Sequence, residues 1–99
     1  MHYNRKIQDI ITATAKAFGL DRRTMMSKNK YPEIAMPRMA AMYIAFKHGF
    51  TYSGIARQFN RTAGTVINAV KSVQNEADTR PKFAKTIKLI ERTIENEQH

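Results

Sequence analysis

From Arg61 to Asn75 the chain presents a selection of side chains suited to one kind of chemistry. Unrolled as a helix at about 100° per residue, Gly64, Thr65, Asn68, Lys71, Ser72 and Asn75 fall on one side. Ala63, Val66, Ile67, Val70 and Val73 fall on the other. The polar side offers hydroxyls, amides and a cation, with no acid and no bulky aliphatic group. Such groups reach base edges and phosphate oxygens, and Gly64 lets a helix approach a partner closely. Arg61 and Thr62 stand directly ahead of this stretch. A guanidinium matches the acceptor edge of guanine, and a threonine hydroxyl caps a helix start.

Other chemistries have little to work with. The 99-residue chain has no Cys, hence no thiol nucleophile, disulfide framework or Cys-containing zinc site. His2, His48 and His99 lie far apart and never at His-x-x-x-His spacing, which argues against a metal. Asp9, Asp21 and Glu33 form no acid–base pair, and no nucleophile elbow is present. The reading is of a protein that is not an enzyme and needs no cofactor.

Net charge agrees. There are 17 Lys and Arg against 8 Asp and Glu, a formal charge of +9. Between Arg22 and Asn75 stand nine basic residues (Arg22, Arg23, Lys28, Lys30, Arg38, Lys47, Arg57, Arg61, Lys71) and a single acid, Glu33. The two flanks are nearly neutral. A basic middle between balanced ends points to a polyanion-binding surface. Apolar content of 42% is too high for a disordered basic tail. The longest apolar run, Met39–Phe46, is far short of the ~20 residues that span a bilayer. No secretory signal is evident at the N-terminus, so no membrane partner is expected and the expected location is the cytoplasm, with the nucleoid.

The frame that positions these groups reads as one all-α domain, residues 1–99, of about six helices. Ile7, Ile10, Ile11, Thr14 and Phe18 share a face of the first helix, with Asn4 as its expected N-cap and Gly19 as its end. Asp21 caps a short second helix through Met26. Residues 27–36 read as an irregular basic loop, and Pro37 as the first position of a third helix ending near His48 and Gly49. That helix is apolar nearly all round and belongs at the centre of the core. Methionines 25, 26, 36, 39 and 42 fall around it and suit packing. Pro81 opens a sixth helix with Phe83, Ile87, Ile90 and Ile94 on one face; Lys85, Lys88 and Arg92 lie opposite, read as a solvated face ahead of a phosphate-contacting one.

Residues 51–77 read as a helix-turn-helix. Two short helices across a three- or four-residue turn need apolar residues where they meet, a small residue at the close approach, and a turn residue that reaches positive φ. Ile55, Phe59 and Val66 supply the first, Ala56 the second and Asn60 the third; Thr51 and Thr62 cap the two helices.

At this point the chain resembles the C-terminal DNA-binding domain of DnaA, the bacterial replication initiator. AMPRMAAMYIA (Ala35 to Ala45) is similar to that family's Ala-Arg-Pro-Arg-x-x-Ala-Met segment. IARQFNRTAGTVINAV is similar to its Ile-Gly-x-x-Phe-Gly-x-Arg-Asp-His-Thr-Thr-Val-x-x-Ala signature, with Ile55, Phe59, Arg61, Thr65, Val66 and Ala69 shared. The resemblance implies a Trp-repressor-like helical fold that binds duplex DNA. It implies a basic loop reaching the minor groove, here Lys28 and Lys30, and an Arg at the start of the central helix, here Arg38. It implies backbone contacts from Tyr52 and Ser53 and base contacts from Arg61 through Asn68, including Thr62, Gly64 and Thr65. Lys47 and Lys71 complete the expected DNA-binding cations.

The family's Asp-His-Thr is Thr62-Ala63-Gly64 here. Ala and Gly have no polar side chain to read bases with, so the initiator's own binding sequence does not carry over. A different site, or a less specific one, is expected. No Gly-rich loop ending in Gly-Lys-Ser/Thr exists, so no ATPase motor is expected, and the start at Met1 favours a free-standing relative over an excised domain. The expected role is that of a replication or transcription regulator, with replication proteins as further partners. The alternative is a protein-interaction module of a replication complex with little DNA affinity of its own. RNA comes third, since Tyr31 and Tyr52 are too few for a stacking platform.

Overall fold

Three helices of this chain stop in the same way, at a residue that reaches positive φ. These are Gly19 (φ 71°), Gly49 (φ 98°) and Asn60 (φ 55°). In each case the next amide reaches back five residues: Leu20 N to the Ala15 carbonyl at 2.9 Å, Phe50 N to Ala45 at 3.2 Å, Arg61 N to Ala56 at 2.9 Å. This motif satisfies carbonyls that the last turn would otherwise leave open. Asn can stand in for Gly at the third because its short polar side chain tolerates the left-handed region.

The computed structural model describes residues 2–96. It consists of α1 (His2–Ala17), α2 (Arg22–Met26), α3 (Pro32–Lys47), α4 (Tyr52–Phe59), α5 (Ala63–Thr79) and α6 (Pro81–Asn96). Among the described residues there is no strand, and no helix is long and apolar enough to cross a membrane. Three starts are capped by side chains. Asp21 accepts from Thr24 N at 2.7 Å, Thr51 from Gly54 N at 3.0 Å and Thr62 from Thr65 N at 3.2 Å.

α3 is the hub, packing against every other helix. Ala40, Ala41, Met42, Ile44 and Ala45 are buried on it, with Ile7, Ile10 and Ile11 arriving from α1 and Val66, Ala69 and Val73 from α5. Its small alanines let neighbouring backbones approach on several sides, so a helix without one dominant apolar stripe can still be central. Ile87, Ile90 and Ile94 seat α6 against this core.

Two expected boundaries differ. Asn4 lies inside α1, which begins at His2, so it is not the cap. The irregular stretch is shorter than residues 27–36, because α3 begins at Pro32 and Pro37 sits within it. Both prolines satisfy the rule for a first helical position, but Pro32 takes it. The Tyr31 carbonyl there accepts from Ile34 N at 2.9 Å and Ala35 N at 2.8 Å. Pro37 cannot donate to the carbonyl four residues back. It is buried, and its packing offsets the lost bond.

Candidate nucleic-acid interface

The basic loop, shortened to residues 27–31, is built around one buried cation. Arg38 is only 8% exposed. Its Nη1 donates to the carbonyls of Met25 (3.3 Å) and Ser27 (2.7 Å), and its Nη2 to that of Asn29 (3.0 Å). A buried guanidinium with no ion-pair partner among the described residues is tolerable because these carbonyls replace its water. Burial, reinforced by the charge of Arg61, pulls Arg38 below the ordinary guanidinium value. Alternate loop carbonyls therefore face inward, and Lys28 and Lys30 are exposed. Within the loop, Ser27 Oγ accepts from Asn29 N at 3.3 Å and Asn29 Oδ1 from Tyr31 N at 2.8 Å, two local turns that compete with helix.

The helix-turn-helix lies next to this loop. Ile55, Ala56 and Phe59 of α4 and Val66, Ala69, Val70 and Val73 of α5 are buried at and around their meeting. Thr62, Gly64, Thr65, Asn68, Lys71, Ser72 and Asn75 are all exposed. An added Cβ at Gly64 would meet only Thr62 Oγ1, at 3.9 Å, so nothing inside the fold requires a glycine there. Thr62 and Thr65 hydroxyls lie 3.0 Å apart. Arg61 turns back on the protein: Nη1 donates to the Phe59 carbonyl at 2.9 Å, and Nη2 to the Ser27 carbonyl at 3.0 Å.

Loop and helix-turn-helix thus share one open concavity of about 600 Å³, lined by Lys28, Lys30, Arg38, Asn60, Arg61, Thr62 and Thr65. Lys28, Lys30, Arg61 and Lys71 have no ion-pair partner among the described residues. Gly64, Asn68 and Lys71 extend the same polar face along α5. Tyr52, Ser53 and Lys47 are not lining residues of this concavity. The Tyr52 ring stacks on Phe46, centroids 4.7 Å apart and 4° from parallel, and Ser53 is exposed in the first turn of α4. Lys47 pairs with Glu91 of α6 at 3.4 Å, with its ammonium 5.4 Å from the centre of the Tyr43 ring. Partial burial would lower the Lys47 pKa, but Glu91 and Tyr43 outweigh it and leave it raised.

The sequence gives Arg38 as a DNA-binding cation at the start of the central helix, with no sign that it holds the loop, and Asn60 only as a turn residue. A signal for the burial of Arg38 is present: Arg38, Ala41, Met42 and Ala45 follow the i, i+3, i+4, i+7 spacing of a buried seam. Arg22, one of the nine basic residues of the middle, latches α2 to α1, donating to the Gln8 carbonyl at 3.1 Å, Thr12 Oγ1 at 2.8 Å and Gln8 Oε1. Gln8 Nε2 in turn donates to Gln58 Oε1 of α4 at 3.1 Å. Among the described residues no group of His, Asp and Glu is placed to hold a metal ion, and His99 lies outside them.

Residues 7–73 match the family model described as the bacterial dnaA protein helix-turn-helix. The chain is 36% identical over 95 residues to the chromosomal replication initiator protein DnaA of Wolbachia pipientis wMel, covering 92% of this chain and 20% of that protein. It is 31% identical over 87 residues to that of Bacteroides fragilis (86% and 18%). With that of Sphingopyxis alaskensis the identity is 39% over 70 residues (69% and 16%). The chain spans about a fifth of the length of the curated relatives it matches. Helix-turn-helix, basic loop and sequence match coincide over the same residues, and the chain belongs to the family of bacterial DnaA helix-turn-helix domains, the DNA-binding part of that protein.

Proposed function

We propose that this domain binds duplex DNA across two grooves, with Lys28 and Lys30 of the loop at the minor groove and the start of α5 in the major groove. The observation that carries this is the single concavity in which Lys28, Lys30, Arg61, Thr62 and Thr65 converge without an acid among them. Thr62, Thr65 and Asn68 offer hydrogen bonds to base edges, Gly64 allows close approach, and Lys71 lies where a phosphate would pass. Arg38 serves by holding the loop. Tyr52 and Ser53 occupy the start of α4, which crosses the backbone in this kind of docking. Lys47, engaged with Glu91, adds to the field more than to contact.

In this reading the domain acts as a replication or transcription regulator and carries no ATPase of its own, with replication proteins as further partners. A second reading rests on Thr62-Ala63-Gly64, where Ala and Gly have no polar group to read bases: a protein-interaction module with little DNA affinity. Fluorescence anisotropy on a random-sequence duplex separates them. Binding that weakens with salt at about −0.9 in log K per log salt for each neutralised phosphate supports the first. No binding at micromolar protein and low salt supports the second. Selection from a random duplex pool then gives the preferred sequence, and its symmetry reports whether one or two copies bind.

A further inference from the structure

Ser27 ends α2 and begins the basic loop, and its carbonyl accepts from two guanidiniums at once: Arg38 at 2.7 Å and Arg61 at 3.0 Å. Arg38 comes from α3, inside the core. Arg61 comes from the helix-turn-helix turn, 34 residues away in sequence, and its other terminal nitrogen is held by the Phe59 carbonyl at 2.9 Å, with the Asn60 carbonyl at 3.4 Å. One planar fork therefore ties the turn that aims α5 to the carbonyl from which Lys28 and Lys30 depart.

A guanidinium that reads guanine offers two neighbouring N–H groups to O6 and N7. Nη1 of Arg61 donates to the Phe59 and Asn60 carbonyls and Nη2 to that of Ser27, so three of its five N–H groups face the protein and fix the plane of the half-buried guanidinium. We propose that Arg61 is a positioning residue: it sets the basic loop against the helix-turn-helix through the Ser27 carbonyl, so the loop lysines and the α5 face engage DNA as one coupled unit. This rests on the duplex-binding reading above. It differs from direct base reading in what must change when Arg61 is removed. Loss of a reader relaxes preference at one base pair and leaves the loop alone. Loss of the tie leaves base preference at α5 in place and weakens whatever Lys28 and Lys30 contribute.

A Lys is no substitute here, because a single ammonium on a flexible stem cannot hold the turn and loop carbonyls in one plane. Arg61→Lys therefore keeps the charge and should lose the function.

The test is a double-mutant cycle on a short duplex, with Lys28→Ala/Lys30→Ala, Arg61→Ala and their combination. If the lysine pair costs about tenfold in affinity in the native chain, it should cost about threefold or less beside Arg61→Ala. Arg61→Lys should resemble Arg61→Ala in both affinity and coupling. Additive costs, rescue by lysine, or a loss confined to one base pair would each overturn the proposal. A measurement without DNA keeps it testable if affinity is affected by folding. In free Arg61→Ala the amides of Asn29 and Tyr31 should exchange faster, while core amides of α3 stay protected. Unchanged exchange at those two amides sinks it. If the native domain fails to bind duplex at all, the functional reading falls and this proposal with it. Binding by the native domain with additive mutant costs removes the proposal alone.

Discussion

Two exposed faces of this molecule are rich in Lys and Arg, and they differ in how their backbone is held. On the loop and helix-turn-helix face, Lys28 and Lys30 project from a five-residue loop whose carbonyls are held by Arg38 and Arg61. On α6, Lys85, Lys88 and Arg92 stand on a continuous helix beside Leu89, which is 58% exposed, and share that helix with Glu91 and Glu95. What differs is the supporting shell: a buried guanidinium holds loop carbonyls at the first face, while at the second the geometry is that of a continuous helix. Ordering a loop before binding removes entropy that association would otherwise cost. Charge makes a surface attractive to a polyanion, and preorganisation decides where the polyanion sits.

The largest effect should come from removing that support. Arg38→Met keeps the length of the side chain and its apolar stem but takes the guanidinium donor from the Met25 and Asn29 carbonyls and leaves Ser27's to Arg61 alone. We expect a loss of about 2–4 kcal/mol in stability. For a domain this small, that is a fall in Tm on the order of 10–20 °C. Duplex affinity measured on the folded protein should fall at least as far as for the lysine pair. A variant that melts like the native protein would show that Arg38 is no keystone, and the contrast between the faces would reduce to charge alone. Next in size is Lys28→Ala/Lys30→Ala. It should leave Tm nearly unchanged and make the salt slope shallower by up to about 1.8, at about 0.9 for each phosphate released.

Much of this contrast was legible in the sequence, and the unreadable part has a physical cause. Caps and stops are local: Asp21, Thr51 and Thr62 bond amides three residues on, and Gly19, Gly49 and Asn60 supply the positive φ that ends a helix. The two faces of α5 follow from its period. The start of α3 is not legible, because Pro32 and Pro37 obey the same local rule and only tertiary packing separates them. The loop's architecture was hidden because Arg38 and Arg61 bond to backbone carbonyls, which carry no sequence signature. Nothing in the residue types of Met25, Ser27 and Asn29 announces that their carbonyls converge on one guanidinium.

A smaller effect should appear with pH. Asp21 caps α2, the helix that carries the Met25 carbonyl and ends at Ser27, and its backbone bond from Thr24 holds its carboxyl below the ordinary 3.8. A depressed folded pKa means stability is fully present above the ordinary value and is lost as pH falls through the lowered one. Asp21→Asn keeps a capping oxygen but cannot titrate. In paired thermal melts, the advantage of the native chain over this variant should shrink as pH drops below 3.8. A constant difference down to strongly acid pH would remove the cap from the support of the loop.

The smallest expected effect is the sharpest test of the comparison. Lys85→Gln/Lys88→Gln removes two cations, as many as Lys28→Ala/Lys30→Ala does. If affinity followed net charge, the two double variants would be equivalent at every salt concentration. If contact decides, the α6 pair acts only through the long-range field, which is largely screened beyond about 8 Å at physiological ionic strength. Its effect on affinity should then stay under about twofold, and its salt slope should match that of the native chain within about 0.5. A weak influence on association rate should survive at low salt, where the screening length grows to about 30 Å at 0.01 M. Equal slope losses for the two pairs would place α6 against the duplex and make the second face part of the site.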